Sequence, residues 1–245
     1  MSTPRFYCPD SLSSGAHINL PESAAAHASR ALRMQTGDMA ILFNGDGHNY
    51  TCELTDVRKS SVSAVVRSIA PADTESPLRI TLAQAISSGD RMDFTIQKTV
   101  EMGVSAIQPI ASRRSVVKLT GERAEKRREH WQNVVISACE QSGRATVPQV
   151  AMPLSLPEWL AQKPQATTFI TLAPGAEKTL ADLAPPTGDI CFLIGAEGGF
   201  TTEEISLGAT HGFIPVRMGK RILRTETAAL AAIAAMQILW GDFTV

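Results

Sequence analysis

The chain has 245 residues, 44% of them hydrophobic, and its 23 basic and 24 acidic side chains leave a formal net charge of −1. That length and apolar content can bury a sizeable core in one or two domains, and the near-neutral total gives no general drive toward nucleic acid. Cysteines at 8, 52, 139 and 191 form no C-x-x-C pair and the histidines lack ligand spacing, which argues against a zinc cluster and a disulfide framework.

Residues 1–72 read as a small β-barrel. Strands are expected over Arg5–Cys8, Met39–Phe43, Asn49–Val57 and Ser61–Ile69, with Asn44-Gly45-Asp46-Gly47 as a hairpin turn. One helix, Glu22–Met34, interrupts them and brings Arg30 close to Arg33. Met1–Asp10 lacks the apolar core of a secretion signal, and no apolar run reaches the about 20 residues that span a bilayer. Neither a membrane nor a metal is therefore expected, and a cytoplasmic setting is. The polar, proline-bounded stretch Pro71–Pro77 marks the domain boundary, with the second domain running over 73–245.

From Leu78 the pattern becomes strand alternating with helix, which argues for an α/β domain with a mostly parallel sheet. A strand over Leu78–Ile86 precedes a helix over Asp90–Met102, stopped by Gly103. A strand over Ala106–Ile110 and a long helix over Glu122–Ser142 follow, then strands near Val147, Thr168 and Ile190. Between Arg113 and Arg128 seven basic residues stand against two acidic ones. That run either follows a phosphate backbone or is a solvated helix face with Glu122 paired to Lys126.

Two loops near the C-terminus follow apolar strands and open helices. The first is Gly195-Ala196-Glu197-Gly198-Gly199-Phe200, after Ile190–Ile194; Thr201 and Glu204 form a capping box just beyond it. Its glycines let a ligand approach the main chain, while Glu197 either faces that ligand or holds the turn. The second follows the strand Phe213–Met218 and runs through Gly219-Lys220-Arg221 to Leu223-Arg224-Thr225-Glu226-Thr227-Ala228. Of Arg224 and Glu226, one can face a pocket while the other secures the loop. Thr225 and Thr227 are N-cap candidates for a final apolar helix to Trp240, which needs burial, in part by a second subunit. Neither loop has the G-x-G-x-x-G or Gly-Lys-Ser/Thr pattern of a phosphate cradle, yet both lie where ligands sit in parallel sheets, beyond the strand carboxyl ends.

On these two loops the chain resembles the RsmE family, S-adenosylmethionine-dependent uracil-N3 methyltransferases of small-subunit ribosomal RNA. Further matches are Arg5-Phe6-Tyr7, Leu42-Phe43-Asn44-Gly45, Gly89-Asp90-Arg91-Met92-Asp93, Gln97-Lys98 and Ser137–Arg144, so the likeness spans almost the whole length. The resemblance implies a C-terminal SPOUT-type domain with a deep trefoil knot, an N-terminal PUA-like barrel that holds RNA, and a homodimer. It further implies an S-adenosyl-L-methionine pocket built by Leu172, Gly195, Glu197, Gly198, Gly199, Met218, Gly219, Ile222, Leu223, Thr225, Thr227 and Ala228. The expected partner is 16S ribosomal RNA of the small subunit, at one uridine of the decoding region. The family's usual Pro and Glu are replaced here by Ala196 and Arg113.

Methylation of uracil N3 requires loss of an imide proton and stabilisation of the oxygens that gather charge. Arg224 is the candidate donor and Glu226 the candidate base, directly, through water, or only as a wall of the pocket. Candidate RNA contacts are Arg5, Arg30, Arg33, Arg91, Lys98, Arg114, Lys118 and Arg144. A non-catalytic RNA-binding scaffold and a SPOUT enzyme acting on another RNA are the competing readings.

Overall fold

The computed structural model of the chain describes residues 3–115, 117 and 119–244. Two compact units emerge, Met1–Glu75 together with Cys139–Val147, and Ser76–Ala138 together with Pro148–Val245. Lys118 lies outside the described residues.

The first unit holds strands β1 (Arg5–Tyr7), β2 (His17–Asn19), β3 (Met39–Phe43), β4 (His48–Val57) and β5 (Val62–Pro71), in the sheet order β1-β3-β4-β5-β2. Only β1–β3 is parallel; the other pairs are antiparallel. The turn at 44–47 forms as its residue types require, with the Asp46 amide donating to Asn44 Oδ1 at 3.1 Å and the Tyr50 hydroxyl to Asp46 at 2.6 Å. Strand β2 carried no periodicity of its own, being three residues long. The expected helix at Glu22–Met34 is shorter: α1 (Glu22–Ala26) runs into a π-turn over His27–Ala31. Phe6, Leu20, Ala28, Leu42, Leu54 and Val66 close the core between helix and sheet.

Residues 139–147 had been expected in the second domain. In the first unit the Tyr7 amide donates to Glu140 Oε1 at 3.0 Å and Arg5 Nη2 to the Arg144 carbonyl at 3.1 Å. Arg144 forms two bonds to Glu75, at 2.6 and 3.1 Å, with its side chain only 3% exposed. A phosphate has no access to it, so Arg144 is a structural pin and the expectation of an RNA contact there is corrected. A sequence window sees an arginine but not the carboxylate 69 residues away that neutralises it.

The second unit is built on β6 (Ile80–Ala85), α2 (Arg91–Glu101), β7 (Ala106–Ala111), α3 (Glu122–Ser142, whose residues from Cys139 belong to the first unit), β8 (Gln149–Val150), β9 (Leu154–Ser155), α4 (Leu156–Ala161), β10 (Thr168–Leu172), β11 (Ile190–Ile194), α5 (Thr202–Thr210), β12 (Ile214–Val216) and α6 (Thr225–Trp240). The sheet runs β12-β10-β11-β6-β7-β8, with β9 beside β7, and every pair is parallel. Helices cover both faces: Trp159, Leu160 and Leu207 pack with Ala83, Cys191 and Leu193 on one, while α6 meets β11 and α2 on the other. Double cover explains why β11 reads as the unbroken apolar run Ile-Cys-Phe-Leu-Ile, all five residues buried. Strand β11 inserts between β10 and β6, so the chain reverses its direction of travel across the sheet there. Carboxyl ends of strands at such a reversal open a crevice, and both C-terminal loops leave from that side.

Candidate functional site

The loops after β10, β11 and β12 converge on one cavity of about 840 Å³. Of the expected cofactor residues, Leu172, Gly195, Glu197, Gly198, Gly199, Met218, Gly219, Ile222, Leu223, Thr225 and Ala228 line it, as do Arg224 and Glu226. Thr227 does not; it is exposed in the first turn of α6. Three elements far apart in sequence thus share one wall, because parallel strands send all their following loops to the same edge.

The first loop is tied down from outside itself. Glu197 accepts from the Ser88 amide at 3.0 Å, the Ser88 hydroxyl at 2.8 Å and Arg91 Nη1 at 2.7 Å. Partial burial pushes this carboxyl upward, but the Ser88 and Arg91 donors outweigh that and hold it at about 2. The open alternative for Glu197 closes here: it holds the loop, against the turn that precedes α2. Arg114 Nη1 donates to the Gly198 carbonyl at 2.7 Å and clamps the other side. Arg91 and Arg114, expected at RNA, both line the cavity and spend donors on this loop.

Beyond the loop the capping box forms, with Glu204 N to Thr201 Oγ1 at 3.2 Å and Thr201 N to Glu204 Oε2 at 2.9 Å. Glu204 Oε1 also accepts from the Arg113 amide at 2.8 Å. Arg113, the departure from the family's glutamate, contributes its main chain to this buried carboxylate while its side chain is exposed beside Glu203.

Residues of the second loop play other parts than expected. Arg224 is the N-cap of α6 and makes no side-chain cap bond. Thr225 does not cap either: its hydroxyl donates to the Gly195 carbonyl at 2.6 Å and accepts from Gln84 Nε2 at 3.0 Å. This buried hydroxyl joins the ends of β6 and β11 to the start of α6, which is why it is unavailable to the helix amides. Arg224 and Glu226 were expected to divide pocket and scaffold duties; both line the cavity, and Glu226 Oε2 is buried without a hydrogen-bond partner among the described residues. On α6 the buried face is Ala229, Ala232, Ile233, Met236 and Gln237. Gln237 is satisfied there by the Met102 carbonyl at 2.8 Å and the Ser76 hydroxyl at 2.9 Å.

The remaining expected RNA contacts scatter. Arg30 and Arg33 are exposed in the first unit. Arg5 is half-buried over the Phe43 ring at 5.1 Å, and burial lowers its pKa. Lys98 pairs with Glu101 at 2.8 Å. In the basic run, Lys126 pairs with Glu122 at 2.7 Å, so the solvated-face reading holds for that turn. Sequence reasoning missed Ile194, Ile205 and Val216 in the cavity wall, and placed a loop near Leu172 there without naming Ala173, Pro174 and Gly175. The Pro-Gly pair directly after a strand was a usable signal for the 173–175 loop; Ile205, 43% exposed on α5, had none.

The residues present fit a nucleoside: the cavity combines a main-chain floor, apolar walls and both signs of charge, with Arg91, Arg114, Arg221 and Arg224 set against Glu197 and Glu226. A Cβ on Gly195 would stand 2.9 Å from Gly199 Cα, so the floor of the cavity is main chain with no room for a side chain. Leu172, Val216, Met218 and Leu223 supply apolar walls. Among the described residues, no hydrogen bond engages the amides of Met218, Gly219 or Leu223, leaving main-chain donors for the edge of a base or a carboxylate.

Comparison with known proteins agrees in extent. An RNA methyltransferase domain model matches residues 74–237, and an RNA methyltransferase PUA domain model matches residues 20–67. Ribosomal RNA small subunit methyltransferase E of Buchnera aphidicola (subspecies Schizaphis graminum) is 35% identical over 98% of this chain and 98% of its own. The Bacillus subtilis protein of the same name is 32% identical over 88% and 89%. Among solved structures, ribosomal RNA small subunit methyltransferase E of Neisseria gonorrhoeae, bound to S-adenosyl methionine, is 48% identical, covering 99% of this chain and 100% of that chain at a TM-score of 0.92. A Legionella pneumophila protein in complex with the same cofactor is 38% identical, covering 99% and 100%, at 0.95. This chain belongs to the RNA methyltransferase family, with an N-terminal PUA domain, alongside the ribosomal RNA small subunit methyltransferase E proteins.

Proposed function

We propose that the protein is an S-adenosyl-L-methionine-dependent methyltransferase that modifies N3 of a uridine in the decoding region of 16S ribosomal RNA. The observation that carries this reading is the meeting of the 195–200 and 217–224 loops in one cavity, with the unpartnered Glu226 Oε2 in its wall. The cofactor, when bound, supplies a methyl group activated on a sulfonium. The chain's own residues do the rest. Gly195, Gly198 and Gly199 let main chain close on the ligand, and Leu172, Met218, Ile222 and Leu223 exclude water from it. Glu226 takes the imide proton as the N3–carbon bond forms and the carbon–sulfur bond breaks. Arg224 binds the uracil oxygen on which negative charge collects. Arg30 and Arg33 serve as phosphate contacts, and the threaded-chain knot belongs to the same reading.

A homodimer in the cytoplasm completes the proposal. Ile238, Leu239 and Phe243, at the end of α6 and just beyond it, are 55%, 46% and 48% exposed, a patch that a second copy would cover. The test is reverse transcription of small-subunit RNA, because N3 methylation removes a Watson–Crick donor and halts the polymerase. The halt is expected in wild type, absent on deletion, restored by the wild-type chain and not by Glu226→Gln. A halt that survives deletion returns the chain to the scaffold reading.

A further inference from the structure

A second cavity, about 480 Å³, is lined by Ser88, Gly89, Asp90, Arg91, Phe94 and Glu226. Arg91 and Glu226 line the larger cavity too, so the two spaces share a wall. Arg224 lines only the larger one. Phe94, one turn into α2, is 46% exposed although its neighbours Met92, Thr95 and Ile96 are buried, and it contributes the aromatic surface of the smaller space. Resting on the function proposed above, we infer that this smaller cavity receives the target base, with Phe94 as its stacking platform and Arg91 as donor to the second uracil oxygen, the one that Arg224 of the larger cavity does not hold.

The chemistry of the wall selects the ring. A base entering over Phe94 lies against the one carboxylate that also faces the cofactor, so its acceptor atom stands between the two cavities, where in-line transfer needs it. Glu226 Oε2, buried and unpartnered, accepts a ring N–H; uracil offers one at N3, and cytosine does not. Arg91 spends Nη1 on Glu197 and Ser88. Its Nε and Nη2 make no bond among the described residues and are free to donate to a carbonyl oxygen, which uracil presents on both sides of N3. The Glu197 and Ser88 bonds also fix that guanidinium, so the cofactor loop and the base edge are held by one side chain. Stacking is sequence-tolerant, since every base has a π-face; in this arrangement Phe94 supplies grip while Glu226 and Arg91 supply choice.

The experiment uses the full chain, S-adenosylmethionine, and small ribosomal subunits purified from cells lacking this protein. Phe94→Leu keeps the apolar bulk without the ring, and Phe94→Tyr keeps the ring. Phe94→Leu is expected to lower kcat/KM roughly 10-fold or more and to weaken subunit binding, within the range found for removing one base-stacking partner. Phe94→Tyr should stay within about threefold of wild type, and calorimetric affinity for S-adenosylmethionine should be unchanged in both. Wild-type rates in Phe94→Leu, or a loss of activity that tracks a changed sedimentation coefficient, overturn the inference; the latter would make Phe94 a subunit contact. Nucleoside analysis of the wild-type product separates the two levels. A methyl group anywhere but N3 of uridine defeats the functional reading, whereas the N3 product with an indifferent Phe94 defeats only the base platform.

Discussion

Single residues decide whether the cofactor loop can take its shape, and two glycines do so differently. Gly195 has an ordinary φ, but a Cβ there would meet Gly199 Cα and C at 2.9 and 3.0 Å, backbone that cannot rotate aside. Gly199 sits at φ +65° with open space around it. Gly195→Ala should therefore spread the loop and lower S-adenosylmethionine affinity at least about tenfold with the fold intact. Gly199→Ala should cost about 1–2 kcal/mol of stability from the left-handed backbone alone. Calorimetric titration and thermal melting of the pair distinguish them. Glu197 makes a second prediction. Its folded pKa, about 2, lies below the usual glutamate value, so its stabilisation is fully present above about pH 4.5 and lost as pH falls toward 2. Cofactor affinity should show no inflection from Glu197 above pH 5, and the acid-side decline should vanish in Glu197→Gln.

Elements are held by polar joints placed where helices and strands end. Thr225 ties α6 to the ends of β6 and β11, and Gln237, fully buried in the same helix, is satisfied by Met102 and Ser76. The first unit has its counterpart in Arg144 and Glu75, which hold residues 139–147 against the segment after β5. Removing one partner of a buried pair takes the opposite charge from the other. Glu75→Ala is expected to destabilise by about 3 kcal/mol, the low end for such a loss, because Glu75 keeps 32% of its side-chain surface in water. Chemical denaturation followed by far-ultraviolet circular dichroism measures it.

At the scale of the whole molecule, the two units differ in how they meet their chemistry. The first is a small, mostly antiparallel sheet with exposed Arg30 and Arg33; the second is a doubly covered parallel sheet whose strand ends hold the cavity. Both bury their thiols. Cys8 and Cys52 lie in the core of the first unit and Cys139 beside Arg144, while Cys191 is inside β11. Burial pushes Cys52 to about 11 and both Cys139 and Cys191 to about 12, so none forms a thiolate near neutrality. A disulfide-exchange dye should react with no thiol in the native protein at pH 8 and with four after unfolding. Rapid labelling of one or more in the native state contradicts that burial.

What the sequence determined by itself is what short-range rules encode. The alternation of strand and helix from Leu78, the capping box at Thr201 and Glu204, and the two loops beyond apolar strands were all legible, because helix period, turn chemistry and strand burial act over a few residues. So was the resemblance carried by those loops, and with it most of the cavity lining. Which groups meet across long separations came from the fold alone. Glu197 is held by Ser88 and Arg91 in the cavity wall, Thr225 gave up a helix cap to join Gln84 and Gly195, and Arg144 is buried against Glu75. A charged or hydroxyl side chain takes whichever partner the fold brings within hydrogen-bond reach, and that partner is set by the order of strands in the sheet, over a hundred residues away for Glu197 and Arg91.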